Sequence, residues 1–265
     1  MCVISALSNL TFTTSGHILG IRMSRQRLDS LMVQRSLAPT REKARALIMA
    51  GVVLFQGKVV DKPGTMVPEE AELRLVEQPL FVSRGGVKLA HALDQLGIDV
   101  SLLAALDIGA STGGFTDCLL QRGTRRVYAV DVGYGQIDYR LRTDSRVVVM
   151  ERVNARYPFD LPEPVDLVVA DVSFISPEMV LPNAVTWLKP GGAIVALVKP
   201  QFEAGREQVG KGGVVRDPRV HAQVLGRFVS WTLSQGLRFG GLVASPITGA
   251  EGNREFLVLL RKGTE

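Results

Sequence analysis

The sequence predicts an α/β protein: a mostly parallel seven-stranded sheet flanked by helices, preceded by a small α+β module. Two observations carry this. Seven short apolar runs, at 102–108, 127–130, 147–150, 165–170, 193–198, 242–244 and 256–260, recur in the C-terminal two-thirds. Helix-length intervals separate most of them, and such crossovers imply a parallel sheet. Before residue 78 the pattern is different, with two helical stretches followed by short strands and tight turns. The 265 residues are 46% hydrophobic and 22% charged, which excludes a disordered chain. No stretch approaches the roughly 18 apolar residues of a membrane-spanning helix. Cys2 and Cys118 are the only cysteines, which excludes a disulfide framework or a cysteine-rich zinc site and points to a reducing, cytoplasmic setting.

Residues 1–22 are Ser/Thr-rich, show no periodicity, and lack the basic start and apolar core of a secretory signal. They are expected to be a dispensable extension, with Met23 as an alternative start. A first helix is predicted from Ser24, where Leu28, Leu31 and Met32 recur at helical spacing. Thr40 should cap a second helix at about 41–50, which Gly51 ends. Strands at 52–55 and 58–60 are joined by Gln56-Gly57, a hairpin signal, and 72–76 reads as another strand. A linker at 78–86 follows, so the expected divisions are 1–22, 23–82 and 83–265. Helices are expected near 87–96, 113–122, 178–188 and 217–235. The runs 242–244 and 256–260 lie too close for a helical crossover, so the last strand should be antiparallel.

Chemistry enters at the end of the first sheet strand. Asp107, Gly109, Ser111, Gly113, Gly114 and Phe115 form a turn that opens a helix. Small residues there let the backbone approach a ligand, and the helix N-terminus favours its polar groups. Asp131 closes the next strand, where a carboxylate can accept both hydroxyls of a ribose. This combination is the pattern of S-adenosylmethionine (AdoMet) methyltransferases. Two rivals share part of it. Gly109-x-Ser111-x-Gly113 also matches the hydrolase nucleophile elbow, but the only downstream histidine, His221, falls inside a predicted helix. A nicotinamide enzyme would place glycine where Ser111 stands.

In an open parallel sheet, ligands bind at the carboxyl ends of the strands. Asp171 follows the strand 165–170 and Lys199 follows 193–198. An antiparallel last strand returns Glu255 to the same edge. Neither cysteine lies at a late strand end, which argues against pyrimidine C5 methylation. Asp171-Val172-Ser173-Phe174 lacks the prolines of amine methyltransferase motifs. A hydroxyl acceptor remains, served by a lysine among carboxylates; a structural salt bridge is the alternative reading of Asp171 and Lys199.

These segments, with 199–203 and 252–257, resemble the FtsJ-like ribose 2′-O-methyltransferases, and most closely the TlyA family, often labelled hemolysin A. The resemblance covers about 24–262. It implies a Rossmann-like AdoMet methyltransferase domain and a catalytic Lys-Asp-Lys-Glu tetrad on Lys88, Asp171, Lys199 and Glu255. It also implies action on cytidine 2′-hydroxyls of ribosomal RNA in the small subunit, the large subunit or both. Lys88 comes from the resemblance alone, since in the sequence it reads as a solvated helix residue. Asn154, after the third strand, is expected near the adenosine. No metal is expected, because no His/Cys/carboxylate cluster has ligand spacing.

The module at 24–76 resembles the S4-like (αL) RNA-binding fold. Arg41 and Arg45, four apart, share one helical side, and Arg25, Arg27, Lys43 and Lys58 add charge. Residues 23–88 hold 11 basic and 7 acidic residues, most of the chain's net +5. Such a face can neutralise phosphates; a merely solvated face is the alternative. The expected partner is ribosomal RNA or a ribosomal subunit, not a membrane. An RNA-binding factor with a vestigial transferase fold, and a membrane-damaging hemolysin, are the competing functions.

Overall fold

The computed structural model describes residues 24–49, 51–76, 80–249 and 251–264, and the expected extension at 1–22 lies outside them. The chain divides into two compact units, residues 1–78 and 79–265.

In the first unit, β1 (Arg25–Arg27) leads into α1 (Leu28–Gln34) and α2 (Arg41–Met49), followed by β2 (Val53–Phe55), β3 (Lys58–Val59), β4 (Met66–Pro68) and β5 (Leu73–Leu75). The helix predicted from Ser24 therefore begins four residues later. Residues 25–27 offer no apolar side chain to a helical face, and they pair instead with 66–68 as an antiparallel strand. Leu28, Leu31 and Met32 do form the buried stripe, packed on Ala44, Ile48 and Val53. Thr40 caps α2 by accepting the Lys43 N–H at 3.2 Å. Gln56 and Gly57 both take positive φ, 50° and 75°, the pairing that a two-residue hairpin between Phe55 and Lys58 requires.

The second unit contains α3 (Arg84–Gln95), β6 (Ala104–Ile108), α4 (Gly114–Gln121), β7 (Arg126–Asp131), α5 (Tyr139–Arg142), β8 (Val147–Glu151) and β9 (Val165–Ala170). After these come α6 (Leu181–Trp187), β10 (Leu188–Val198), α7 (Pro200–Glu203), α8 (Pro218–Ser234), β11 (Arg238–Ala244) and β12 (Phe256–Arg261). The seven strands run in the order β11-β12-β10-β9-β6-β7-β8. Only β12 opposes its neighbours. Strand alternation splits the core between two faces. Leu106, Val130, Val168 and Ala196 meet α6 and α8 through Leu181, Val224 and Phe228. Ala105, Ala129, Leu167 and Val195 meet α3 and α4 through Leu89, Leu93 and Leu119. Each fully buried Leu or Val contributes about 1.5–3 kcal/mol, so the central strands are the rigid frame of this unit.

That frame aligns the functional positions. Ile108 is in register with Val130 and with Ala170, and Ala170 with Ala196. The chain leaves β6 to build β7 and β8 on one side and returns to build β9 on the other. The resulting crevice lies at the carboxyl ends of β6 and β9, where such sheets bind ligands.

Candidate active site

Gly109 stands at this crevice with φ 81°, and a Cβ there would lie 2.5 Å from the Asp171 carbonyl oxygen. Only glycine lets the two strand ends come so close. Ser111 follows at φ 50°, and Gly113, at φ 95°, caps α4. Asp131 accepts the Ser111 N–H on Oδ2 at 2.8 Å and the Gly133 N–H on Oδ1 at 2.6 Å. Its carboxylate is thereby fixed toward a cavity of about 340 Å³, which Gly109, Ser111, Asn154 and Asp171 also line. Asn154 accepts the Arg156 N–H at 3.1 Å.

A second cavity, of about 180 Å³, shares Gly109, Ser111, Asp171 and Ser173 with the first and adds Lys88, Gly114, Phe115 and Lys199. Asp107 lines neither cavity. It is fully buried beneath the turn and accepts the Thr116 hydroxyl at 2.6 Å. Burial, reinforced by the nearby Asp171 charge, pushes its carboxyl up to about 7. Asp107 therefore underpins the turn from below.

Lys199, in the first position after β10, is 7% exposed. Its Nζ lies 2.6 Å from Asp171 Oδ1 and donates to Ser173 Oγ at 2.7 Å. The first contact is an ion pair without hydrogen-bond alignment. Val198 pairs with Phe256, so the antiparallel strand delivers Glu255 beside Lys199. Glu255 accepts from Lys88 Nζ at 2.5 Å and from Gln201 Nε2 at 3.4 Å. Four charged side chains, one from α3 and three from strand ends, thus meet at one edge as two ion pairs, three of them almost wholly buried.

The rival chemistries find no support here. Ser111 Oγ donates to Gln136 at 3.3 Å, and His221, buried in α8, faces the Val215 carbonyl at 3.0 Å. Serine and histidine are engaged separately, so these two residues form no Ser–His pair. Cys118 is buried in α4 and burial pushes its thiol up to about 12, which keeps this cysteine from serving as a thiolate nucleophile.

The FtsJ-like methyltransferase family matches residues 81–262, and the S4 domain family matches residues 26–73. A Bacillus subtilis protein provisionally named rRNA methyltransferase YqxC is 52% identical over 240 residues, covering 89% of this chain and 85% of its own length. The Mycobacterium tuberculosis protein named 16S/23S rRNA (cytidine-2′-O)-methyltransferase TlyA is 46% identical over 245 residues, covering 91% of each. A solved Streptococcus thermophilus structure, provisionally described as a hemolysin, superposes with a TM-score of 0.71 at 45% identity, covering 91% of this chain and 90% of that one.

The chain belongs to the TlyA family of FtsJ-like methyltransferases.

Two features of this TlyA-family site were hidden from the sequence. Lys88 reaches it because α3 and α4 begin in contact. A Cβ on Gly114 would lie 2.2 Å from Ser83 Oγ, and one on Gly86 would lie 2.3 Å from the Phe81 ring. The glycines flanking both helix starts are the one signal that pointed there. Phe174 is the other. It is 86% exposed at the cavity rim, holds φ 67°, and packs at 5.0 Å against Phe202, whose ring lies 5.8 Å from Lys199 Nζ. An exposed ring held at positive φ is a strained, costly arrangement.

In the S4 unit the predicted cations divide into two groups. Arg27 and Arg41 both bind the buried Asp29, at 2.8 and 3.2 Å, while Arg25 donates to the Met66 carbonyl at 3.0 Å. Lys43, Arg45 and Lys58 are exposed and take no ion-pair partner among the described residues. Among those residues no helix is long and apolar enough to cross a membrane.

Proposed function

We propose that this protein transfers the methyl group of AdoMet to the 2′-hydroxyl of a cytidine ribose in ribosomal RNA. The observation that carries the reading is Lys199, buried in the smaller cavity against Asp171 and Ser173, which line both cavities. The larger cavity suits AdoMet. Asp131 is already oriented by two backbone donors to take a ribose diol, Asn154 lies beside it, and the glycine turn at 109–114 leads toward the smaller cavity. AdoMet supplies an electrophilic methyl group, so the protein must position an oxygen and lower the cost of removing its proton.

Lys199 meets that need. Its amine faces the smaller cavity, where it orients the 2′-oxygen and stabilises the charge that develops there. Asp171 holds Lys199 in place, and the Lys88–Glu255 pair completes the charge network. The carboxylates at this edge are the acceptors for the proton that the hydroxyl releases. Phe174 offers an exposed aromatic face to a nucleobase at the rim. The M. tuberculosis relative is named for both ribosomal subunits, which makes both the first substrates to try. The test uses labelled AdoMet with separated 30S and 50S subunits, followed by mapping of the modified nucleotide. Label at a cytidine 2′-oxygen is expected. Label on a base, or none on either subunit, would refute the assignment.

A further inference from the structure

The 204–217 segment, which joins α7 to α8 just beyond Lys199, carries a feature that the chemistry above does not use. Gly210 and Val214 form an isolated antiparallel bridge, and Gly213 N donates to the Gly210 carbonyl at 3.1 Å. This closes a tight turn with Lys211 and Gly212 at its centre. Gly212 and Gly213 hold φ of 78° and 74°, yet a Cβ on either would meet nothing within 4 Å. Glycine is needed there for backbone conformation alone, and it leaves a tip bare except for Lys211.

The base of the turn is fixed from within. Val214 and Val215 are buried. Asn253, only 2% exposed, accepts the Val215 N–H at 3.0 Å and donates to the Gly213 carbonyl at 2.9 Å. His221 Nε2 lies 3.0 Å from the Val215 carbonyl, which can only accept, so the nitrogen donates. Asn253 is two residues from Glu255, so the turn is clamped to the same backbone that delivers the tetrad. Such an arrangement has little conformational freedom left to lose on binding.

Its charge is free. Lys211 and Arg216 are exposed and have no ion-pair or hydrogen-bond partner among the described residues, and the Arg216 guanidinium folds back to the face of Gly210. The acid next to Arg216, Asp217, accepts the Arg219 N–H at the start of α8. A bare, rigid turn with two unpaired cations fits a polyanion that passes over it, and its convex shape does not enclose a free phosphate.

We propose that Lys211 and Arg216 bind the phosphodiester backbone of the substrate RNA beside the ribose presented to Lys199. The proposal rests on the RNA-methylation reading, and binding measured without AdoMet tests the two separately. Full-length Lys211→Ala/Arg216→Ala protein should bind ribosomal RNA roughly three- to tenfold more weakly at moderate salt, with the log affinity against log salt slope shallower by about 0.7–1.8 units. Lys211→Arg/Arg216→Lys should stay near wild type, and AdoMet affinity by calorimetry should be unchanged in both. Wild-type RNA affinity and slope in the alanine pair would overturn the proposal. An equal loss in the charge-keeping pair, or a parallel loss of AdoMet affinity, would overturn it too, since either shows that the turn acts through shape. Failure of the methylation reading has a different signature: wild-type protein that binds RNA but transfers no label.

Discussion

The two units use the same pairing of acid and base but differ in whether the base is buried. In the S4 unit the acid is hidden and the bases reach outward: the Asp29 side chain is fully buried, while those of Arg27 and Arg41 are about half exposed. In the methyltransferase unit the bases are buried as well. The Lys88 and Lys199 side chains are 11% and 8% exposed, against carboxylates at 4% and 22%. A half-exposed guanidinium stays hydrated and keeps donors free for solvent or phosphate. A buried ammonium has lost its water and depends on its carboxylate, which is expensive for stability and useful only where a charge must be held rigidly for chemistry. Burial of the cation therefore separates a surface that binds from a site that reacts.

The largest expected effect comes from the buried lysines. Lys199→Ala should lower single-turnover methyl transfer by about 10²–10⁴-fold, the range for a positioned proton-transfer group, with AdoMet affinity near normal by calorimetry. Full activity would move Lys199 out of the chemistry. Lys88→Met tests burial itself. It strands the Glu255 carboxylate in the interior and should cost about 3–5 kcal/mol of stability in denaturant titrations. Lys88→Met with Glu255→Leu should recover most of that stability and none of the activity. A single mutant as stable as wild type would mean that the pair is effectively solvated.

Asp131→Ala should come next. Its carboxylate is oriented but not core, so the fold should persist while AdoMet affinity falls by about 1–3 kcal/mol, the scale of lost hydrogen bonds to a charged group. Unchanged affinity would remove it from the crevice.

The sequence made one side of this comparison legible and obscured the other. Asp131, Asp171 and Lys199 could be placed at one edge because each immediately follows an apolar run, and strand ends in a parallel sheet share an edge. Glu255 needed one further inference, that two closely spaced runs must be antiparallel. Lys88 offered no such handle, because its place depends on two helix starts touching through Gly86 and Gly114, which no periodicity encodes. Asp107 was misplaced for a related reason: the motif located it at the turn, but only packing decides that its side chain faces Thr116 and neither cavity. In the first unit the basic residues could be counted, but Asp29 beneath two of them could not be seen, because Arg41 reaches it from the next helix.

That buried acid makes a pH prediction. Arg27's hydrogen bonds, opposed by burial and helped by Arg41, hold the Asp29 carboxyl at about 2 against an ordinary 3.8. A depressed carboxyl stabilises the fold above its unfolded value and loses that contribution as pH falls through its folded one. Allowing for solvent around the half-exposed arginines, the contribution is about 1–2 kcal/mol. It should be complete above about pH 4 and fade between 3.8 and 2. Asp29→Asn should therefore lower the melting temperature at pH 6 and approach wild-type behaviour near pH 2. An equal deficit at both pH values would show that charge is not the cause.

The smallest effect separates two arginines that the sequence treats alike. Arg41 and Arg45 lie one turn apart on α2, but Arg41 is tied to Asp29 and Arg45 is not. A cation already neutralised by a buried carboxylate releases fewer counterions when it meets a phosphate, because part of its charge is spent. Arg45→Ala should therefore flatten the slope of log RNA affinity against log salt by about 0.7–0.9, and Arg41→Ala by clearly less. Stability should show the reverse order, since losing Arg41 removes one of the two partners of a buried acid while losing Arg45 removes only exposed charge, worth within about 0.5 kcal/mol. Salt-series binding and thermal melts on the two single mutants read both orders. Equal slopes with equal stabilities would mean that Asp29 does not distinguish them, and that the contrast in burial has no consequence for how this unit holds RNA.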